Sequence, residues 1–230
     1  MMTMSKQKIV ILESNLLKTI MICAAMIMSA SLLAEDDIAY SEAQLLLFSR
    51  PHLEKIKKPI RLDYEFHHLG QQEIHDSISS VITHINEQGH KDIEFEFLSG
   101  DQQIDYPAVD DFSANPLIML VMEWDVNQMD RDMDLPVGKG FLRNQLRIGF
   151  WKHCTVSDIN VDYQGKQIRA KRIVMQPFVE HSRLQMLAKK YYEFFISEDI
   201  PGEIYKIHIH SDNNGSAENT EMLFKQASQY

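Results

Sequence analysis

Hydrophobic and polar residues alternate most cleanly between His90 and Leu98, where Ile93, Phe95 and Phe97 take every second place and Asp92, Glu94 and Glu96 fill the gaps. Side chains two apart on a strand share a face, so this spacing predicts a strand with one oily and one wet side, the habit of antiparallel sheets. Leu62–Leu69 and Asp76–Glu87 read as the strands before it. The same period returns late in the chain. Thr155–Tyr163 and Lys166–Met175 make a hairpin turning at Gly165, and Lys190–Ser197 and Glu203–His210 make another across Ile200, Pro201 and Gly202, residues suited to a reversal.

Between these two groups the pattern changes. Asn115 can accept from the free amides of a first helical turn, and Pro116 loses no bond there because its missing N–H would have been unpaired. The run Leu117–Met122 is apolar without a break, so the first turns of this helix need cover on most sides. Its later half carries Asp125, Asp130, Asp132 and Asp134, which assigns the burial to the beginning. Pro136, Gly138 and Gly140 interrupt it, and Phe141–Phe150 resumes as a second helix. A short amphipathic helix, Ser41–Phe48 with Ser41 as cap, and a basic connector with Lys55, Lys57 and Lys58 precede the first strand. Arg183–Ala188 reads as a helical turn or two. About seven strands with no strand–helix–strand alternation give an α+β fold, a curved antiparallel sheet wrapped over a central apolar helix.

On this reading residues 1–34 are a signal peptide, 35–60 an N-terminal helix and linker, 61–211 the single sheet-plus-helix domain, and 212–230 a polar tail in which only Met222–Phe224 is apolar. The signal rests on Lys18 before an uncharged run, Thr19–Leu33, with small residues Ser29, Ala30, Ser31 and Ala34 after the run's centre and then Glu35, Asp36 and Asp37. The run falls short of the roughly 20 residues a spanning helix needs, which predicts cleavage after Ala34 (Ala30 being the other candidate) and no stable membrane span afterwards. Of the two cysteines Cys23 lies in the signal, so Cys154 has no partner for an internal bridge. Export without a disulfide framework or a Gly/Ser linker points to the periplasm of a Gram-negative bacterium.

The whole chain has a formal net charge of −10; removing the signal, with Lys6, Lys8 and Lys18 against Glu13, takes away +2 and leaves −12. That disfavours nucleic acid and anionic membrane surfaces as partners.

Little of the sequence carries catalytic chemistry. No Gly-x-Ser-x-Gly, phosphate-binding glycine loop or His-Glu-x-x-His occurs, and the Ser-x-x-Lys spacing is met only at Ser5–Lys8, inside the expected signal. Asp130, Asp132 and Asp134 imitate the start of a calcium loop, but Leu135 stands where Gly is needed and Phe141 where the bidentate Glu belongs. Cys154 follows His153, a neighbour able to lower a thiol's pKa. His208 and His210 share one strand face at a spacing a metal can use, with His67, His68, His75 and His84 on or near other strands, while Ile207 and Ile209 mark the opposite face as buried.

The exported start, the hairpins before and after, and the Pro-initiated apolar helix resemble the periplasmic lipoprotein carriers of the LolA/LolB kind, over Leu62–His210. The resemblance rests on architecture; it carries over no ligand-contacting residue, and the Phe141–Phe150 helix has no counterpart. It implies an unclosed barrel able to hold acyl chains. The expected function is therefore a non-enzymatic envelope protein without cofactor, binding a lipid, an acyl chain or an apolar protein segment between sheet and helix. Leu117, Leu120, Met122, Trp124, Phe95 and Phe97 would line that space, if it is not simply a closed core. The alternatives are a metal-dependent hydrolase built on His208 and His210, and a scaffold that pairs with an envelope partner through a free strand edge at Ile204–His210.

Overall fold

A computed structural model describes residues 39–213 and 216–230; the expected signal, residues 1–34, lies outside the described residues. Alternation becomes strands where it was expected: β1 (Ile60–Leu69), β2 (Ile74–Ile85), β3 (Lys91–Phe97), then β5 (Cys154–Tyr163), β6 (Lys166–Met175), β7 (Lys190–Ile196) and β8 (Ile204–Asn213). To these are added β4 (Val109–Phe112) and β9 (Ser216–Gln229). The fold is α+β, with all neighbours antiparallel in one nine-stranded sheet of order β4-β3-β2-β1-β9-β8-β7-β6-β5.

β9 corrects the expected polar tail. It lies in the middle of the sheet, pairing with β1 from Leu69↔Asn219 to Ile60↔Gln229 and with β8 from Lys206↔Leu223 to Asn213↔Ser216. Thr220, Met222 and Phe224 fill alternate places and are buried. A second correction follows for β8, which is paired on both sides by β7 and β9, so Ile204–His210 offers no free edge. The edges are β4 and β5, and they do not pair with each other: the sheet is unclosed.

Three helical segments and two 3-10 turns, Gly100–Gln102 and Ser182–Leu187, complete the fold of the described residues. α1 (Glu42–Gln44) starts with a capping box, the Ser41 hydroxyl accepting from Gln44 N–H and the Gln44 side chain from Ser41 N–H, and continues as a π-helical turn over Leu45–Ser49. α2 (Leu117–Asp132) and α3 (Lys139–Lys152) connect the free edge β4 to the free edge β5. The Asn115 side-chain oxygen accepts from Leu117 N–H at 3.2 Å while its amide donates to the Gly202 carbonyl at 3.0 Å, fixing the start of α2 to the β7–β8 turn.

α2 lies across the inner face of the sheet. β1 and β7 are three strand spacings apart, roughly 14 Å in a flat sheet. Yet Trp124 meets Phe66 of β1, ring centroids 5.0 Å apart, and its neighbour Asp125 accepts a hydrogen bond from Tyr192 of β7 at 2.7 Å. Consecutive residues of one helix thus hold two strands that lie three places apart in the sheet. α3 covers the rest, with Phe150 on Phe194 of β7, and Arg143 grips Glu123 of α2 with two hydrogen bonds of 2.8 and 2.5 Å.

His52 ties the N-terminal segment to this assembly. Its Nε2–H donates to the Leu46 carbonyl at 2.8 Å and its Nδ1 accepts from Asn115 N–H at 3.2 Å, which assigns the neutral tautomer. Burial pulls its pKa down from 6.5 to about 4. The unfolded chain takes up this proton near pH 6.5 and the folded chain resists until about 4, so unfolding binds a proton in that window. Stability contributed by His52 is therefore intact above pH 6.5 and declines as the pH falls toward 4. Urea midpoints measured across this window will drop, and the drop will be smaller in His52→Gln.

Candidate functional site

The residues expected to line the space between helix and sheet come together in one cluster. Leu117, Met122, Trp124 and Phe97 are buried, and Leu120 and Phe95 pack against them partly exposed. Trp124 stands edge-on to both Phe66 and His68, each 5.0 Å away, and Phe97 edge-on to Tyr106 at 5.0 Å. β3 presents Ile93, Phe95 and Phe97 to this interface and leaves Glu94 and Glu96 in solvent. Met119 is exposed on the outer side of α2, while Met122 and Met129 face in.

Burial does not fade along α2 as the acidic half suggested. Asp125, Val126 and Met129 are as buried as Leu117 and Ile118. Asp125 is accommodated because Lys190 of β7 lies inside as well, Nζ to Oδ1 2.9 Å, with both side chains only 3% exposed. The Tyr192 hydroxyl completes the carboxylate's partners. Burial and the adjacent Asp125 charge push the Tyr192 phenol well above its ordinary pKa, which keeps it a donor. Lys190 also faces Glu218 of β9 at 3.6 Å. Next to it His68 Nδ1 meets the Thr220 hydroxyl at 2.8 Å, its imidazole held toward the neutral form chiefly by burial, and the buried Ser211 hydroxyl has no hydrogen-bond partner among the described residues. An oily interface thus ends in a polar seam that fastens α2 to β7. Lys190 carried one legible sign: it has the inward parity of Tyr192 and Phe194 two and four places on.

The other candidates are dispersed. Asp130 and Asp132 sit on the last turns of α2, where Lys139 and Arg131 neutralise them. His67 and His75 meet on the outer face of β1–β2, Nδ1 to Nδ1 2.6 Å, and His84 bonds to Asp92. His208 and His210 project outward from β8, as the burial of Ile207 and Ile209 requires, and the structure adds Glu193 of β7 beside them.

Cys154 moves away from reactivity. Its Sγ faces the Gly149 carbonyl at 3.5 Å, and burial pushes the thiol up to about 12, opposite to the shift a nucleophile needs. The folded protein will resist iodoacetamide at pH 8 and react on unfolding in guanidinium, as intact mass will show.

Among the described residues no helix is long and apolar enough to cross a membrane. No family model matches the sequence, and no curated protein matches it. In structure the chain is similar to a LolA superfamily protein from Nitrosomonas europaea, with 9% identity and a TM-score of 0.24, over 82% of this chain and 93% of that one.

Proposed function

We propose that this is a non-enzymatic periplasmic envelope protein that holds a lipid or other acyl chain between α2 and the curled sheet, against Leu117, Leu120, Met122, Trp124, Phe95 and Phe97. One observation carries the reading. The sheet is unclosed, and the helices that cover its apolar face run from one free edge to the other, so they can shift without breaking a strand ladder. Flexible methionines at 122, 129 and 133 suit a surface that must pack against both protein and ligand.

The energies are compatible. Separating the Asp125–Lys190 pair costs about 3–5 kcal/mol. Burying about ten methylenes of an acyl chain returns about 8 kcal/mol. The polar seam gives the slot one end that can accept the carboxylate, amide or hydroxyl of an amphiphile, and the apolar remainder takes its chain.

A fluorescent fatty acid titrated into the purified protein should bind saturably near one per chain and be displaced by an unlabelled one. Failure to bind, together with native protein that carries no lipid by mass spectrometry, would remove the proposal.

A further inference from the structure

On the opposite face of the sheet, away from α2, three side chains of two adjacent strands converge. Glu193 of β7 lies directly across from His208 of β8, and His210 follows two residues on, its ring 4.8 Å from that of His208 and 14° from parallel. Tyr191 stacks on the far side of His210 at 5.0 Å, fixing that ring. Glu193 Oε2 lies 2.9 Å from His208 Nδ1 and 3.9 Å from His210 Nε2. Ligand atoms around a tetrahedral zinc ion, bonded at 2.0–2.1 Å, are roughly 3.3 Å apart. The two distances from Glu193 straddle that spacing and all three donor atoms lie within 4.8 Å of one another, so side-chain rotations can close them on one ion.

Their surroundings are those of a ligand set. Arg172 of β6 binds Glu193 through the other oxygen, Oε1, with Nε at 2.9 Å, which leaves Oε2 turned to the histidines. The Asn219 side-chain oxygen of β9 lies 2.6 Å from His208 Nε2 and accepts its N–H. In the neutral ring that bond leaves the Nδ1 lone pair facing Glu193 Oε2. Two electron pairs facing each other at 2.9 Å repel unless a positive centre, a proton or a metal ion, lies between them. Metal-bound histidines characteristically donate their second ring N–H to such an oxygen.

We propose that Glu193, His208 and His210 form a binding site for one divalent transition-metal ion of the zinc class, with Asn219 and Arg172 as positioning residues. Two imidazoles and one carboxylate suit zinc, copper(II) or nickel(II) and are poor for magnesium or calcium, which take oxygen donors. His208 and His210 are 22% and 37% exposed, so water completes the coordination. The site stands independently of any ligand under α2.

Zinc chloride titrated calorimetrically into chelator-treated full-length protein should bind with a stoichiometry of one, and cobalt(II) should give the visible bands of a low-coordinate site. His208→Ala and His210→Ala should each weaken zinc at least 100-fold. Asn219→Ala should weaken it about 10–100-fold although it contributes no bond to the ion. His75→Ala, in the separate pair with His67, should leave affinity unchanged, and circular dichroism of every variant should match the parent. Absence of stoichiometric binding overturns the site, as does binding that survives both His208→Ala and His210→Ala in folded protein.

Discussion

Lys190→Met will destabilise the protein by about 3–5 kcal/mol, a large part of the 5–15 kcal/mol that holds a typical domain folded. The substitution fills the same space but leaves the buried Asp125 carboxylate facing an apolar side chain, with the Tyr192 hydroxyl as its remaining partner among the described residues. Neither Glu218, partly exposed, nor the neutral His68 supplies the lost positive charge. Removing the whole cluster has a different outcome. In Asp125→Leu/Lys190→Met/Tyr192→Phe no charge remains to be desolvated, and stability should return close to the parent or above it. Urea unfolding followed by far-ultraviolet circular dichroism checks both. A single variant losing under about 1 kcal/mol would mean that water reaches Asp125, since exposed pairs contribute no more than that.

Trp124→Ala should be comparably severe, at about 3–5 kcal/mol. The indole is 1% exposed and sits between Phe66 and His68, so truncation leaves a void bounded by rigid rings on a curved sheet. Trp124→Phe keeps one edge-on contact and should lose less than half as much. The pair also separates two roles of this residue. If Trp124 only fills space, Trp124→Phe binds acyl chains as the parent does; if its ring forms the wall of the slot, probe affinity falls more than stability does.

Where one face of a strand is wet, period two was enough to find it, and β3, the β5–β6 hairpin and β7–β8 all follow their alternation. β9 escaped because its inward residues are not uniformly oily. Thr220 faces inward to meet His68, and Glu218 to meet Lys190, so only Met222 and Phe224 signalled a buried face. The same polar seam hid the extent of α2: Asp125 looks like a solvent residue until Lys190, from the far side of the sheet, is placed beside it. Charges pair in space across long stretches of chain, and periodicity holds no information about such pairs. The outer-face cluster shows the boundary well. His208 and His210 were visible from their spacing, whereas Glu193 joins them through strand register, and Arg172 and Asn219 through two further strands. That the sheet is unclosed followed from the architectural resemblance and not from periodicity, because it depends on β4 and β5 remaining unpaired.

The central claim, that an acyl chain enters between α2 and the sheet, can be read at Trp124 itself. With Trp151→Phe the buried indole becomes the sole tryptophan, and a fatty acid brominated along its chain quenches it only on contact. Saturable quenching by the brominated chain, absent with the plain one and lost when unlabelled fatty acid competes, is the expected result. An indole left bright while the fatty acid binds elsewhere, or does not bind at all, would contradict it.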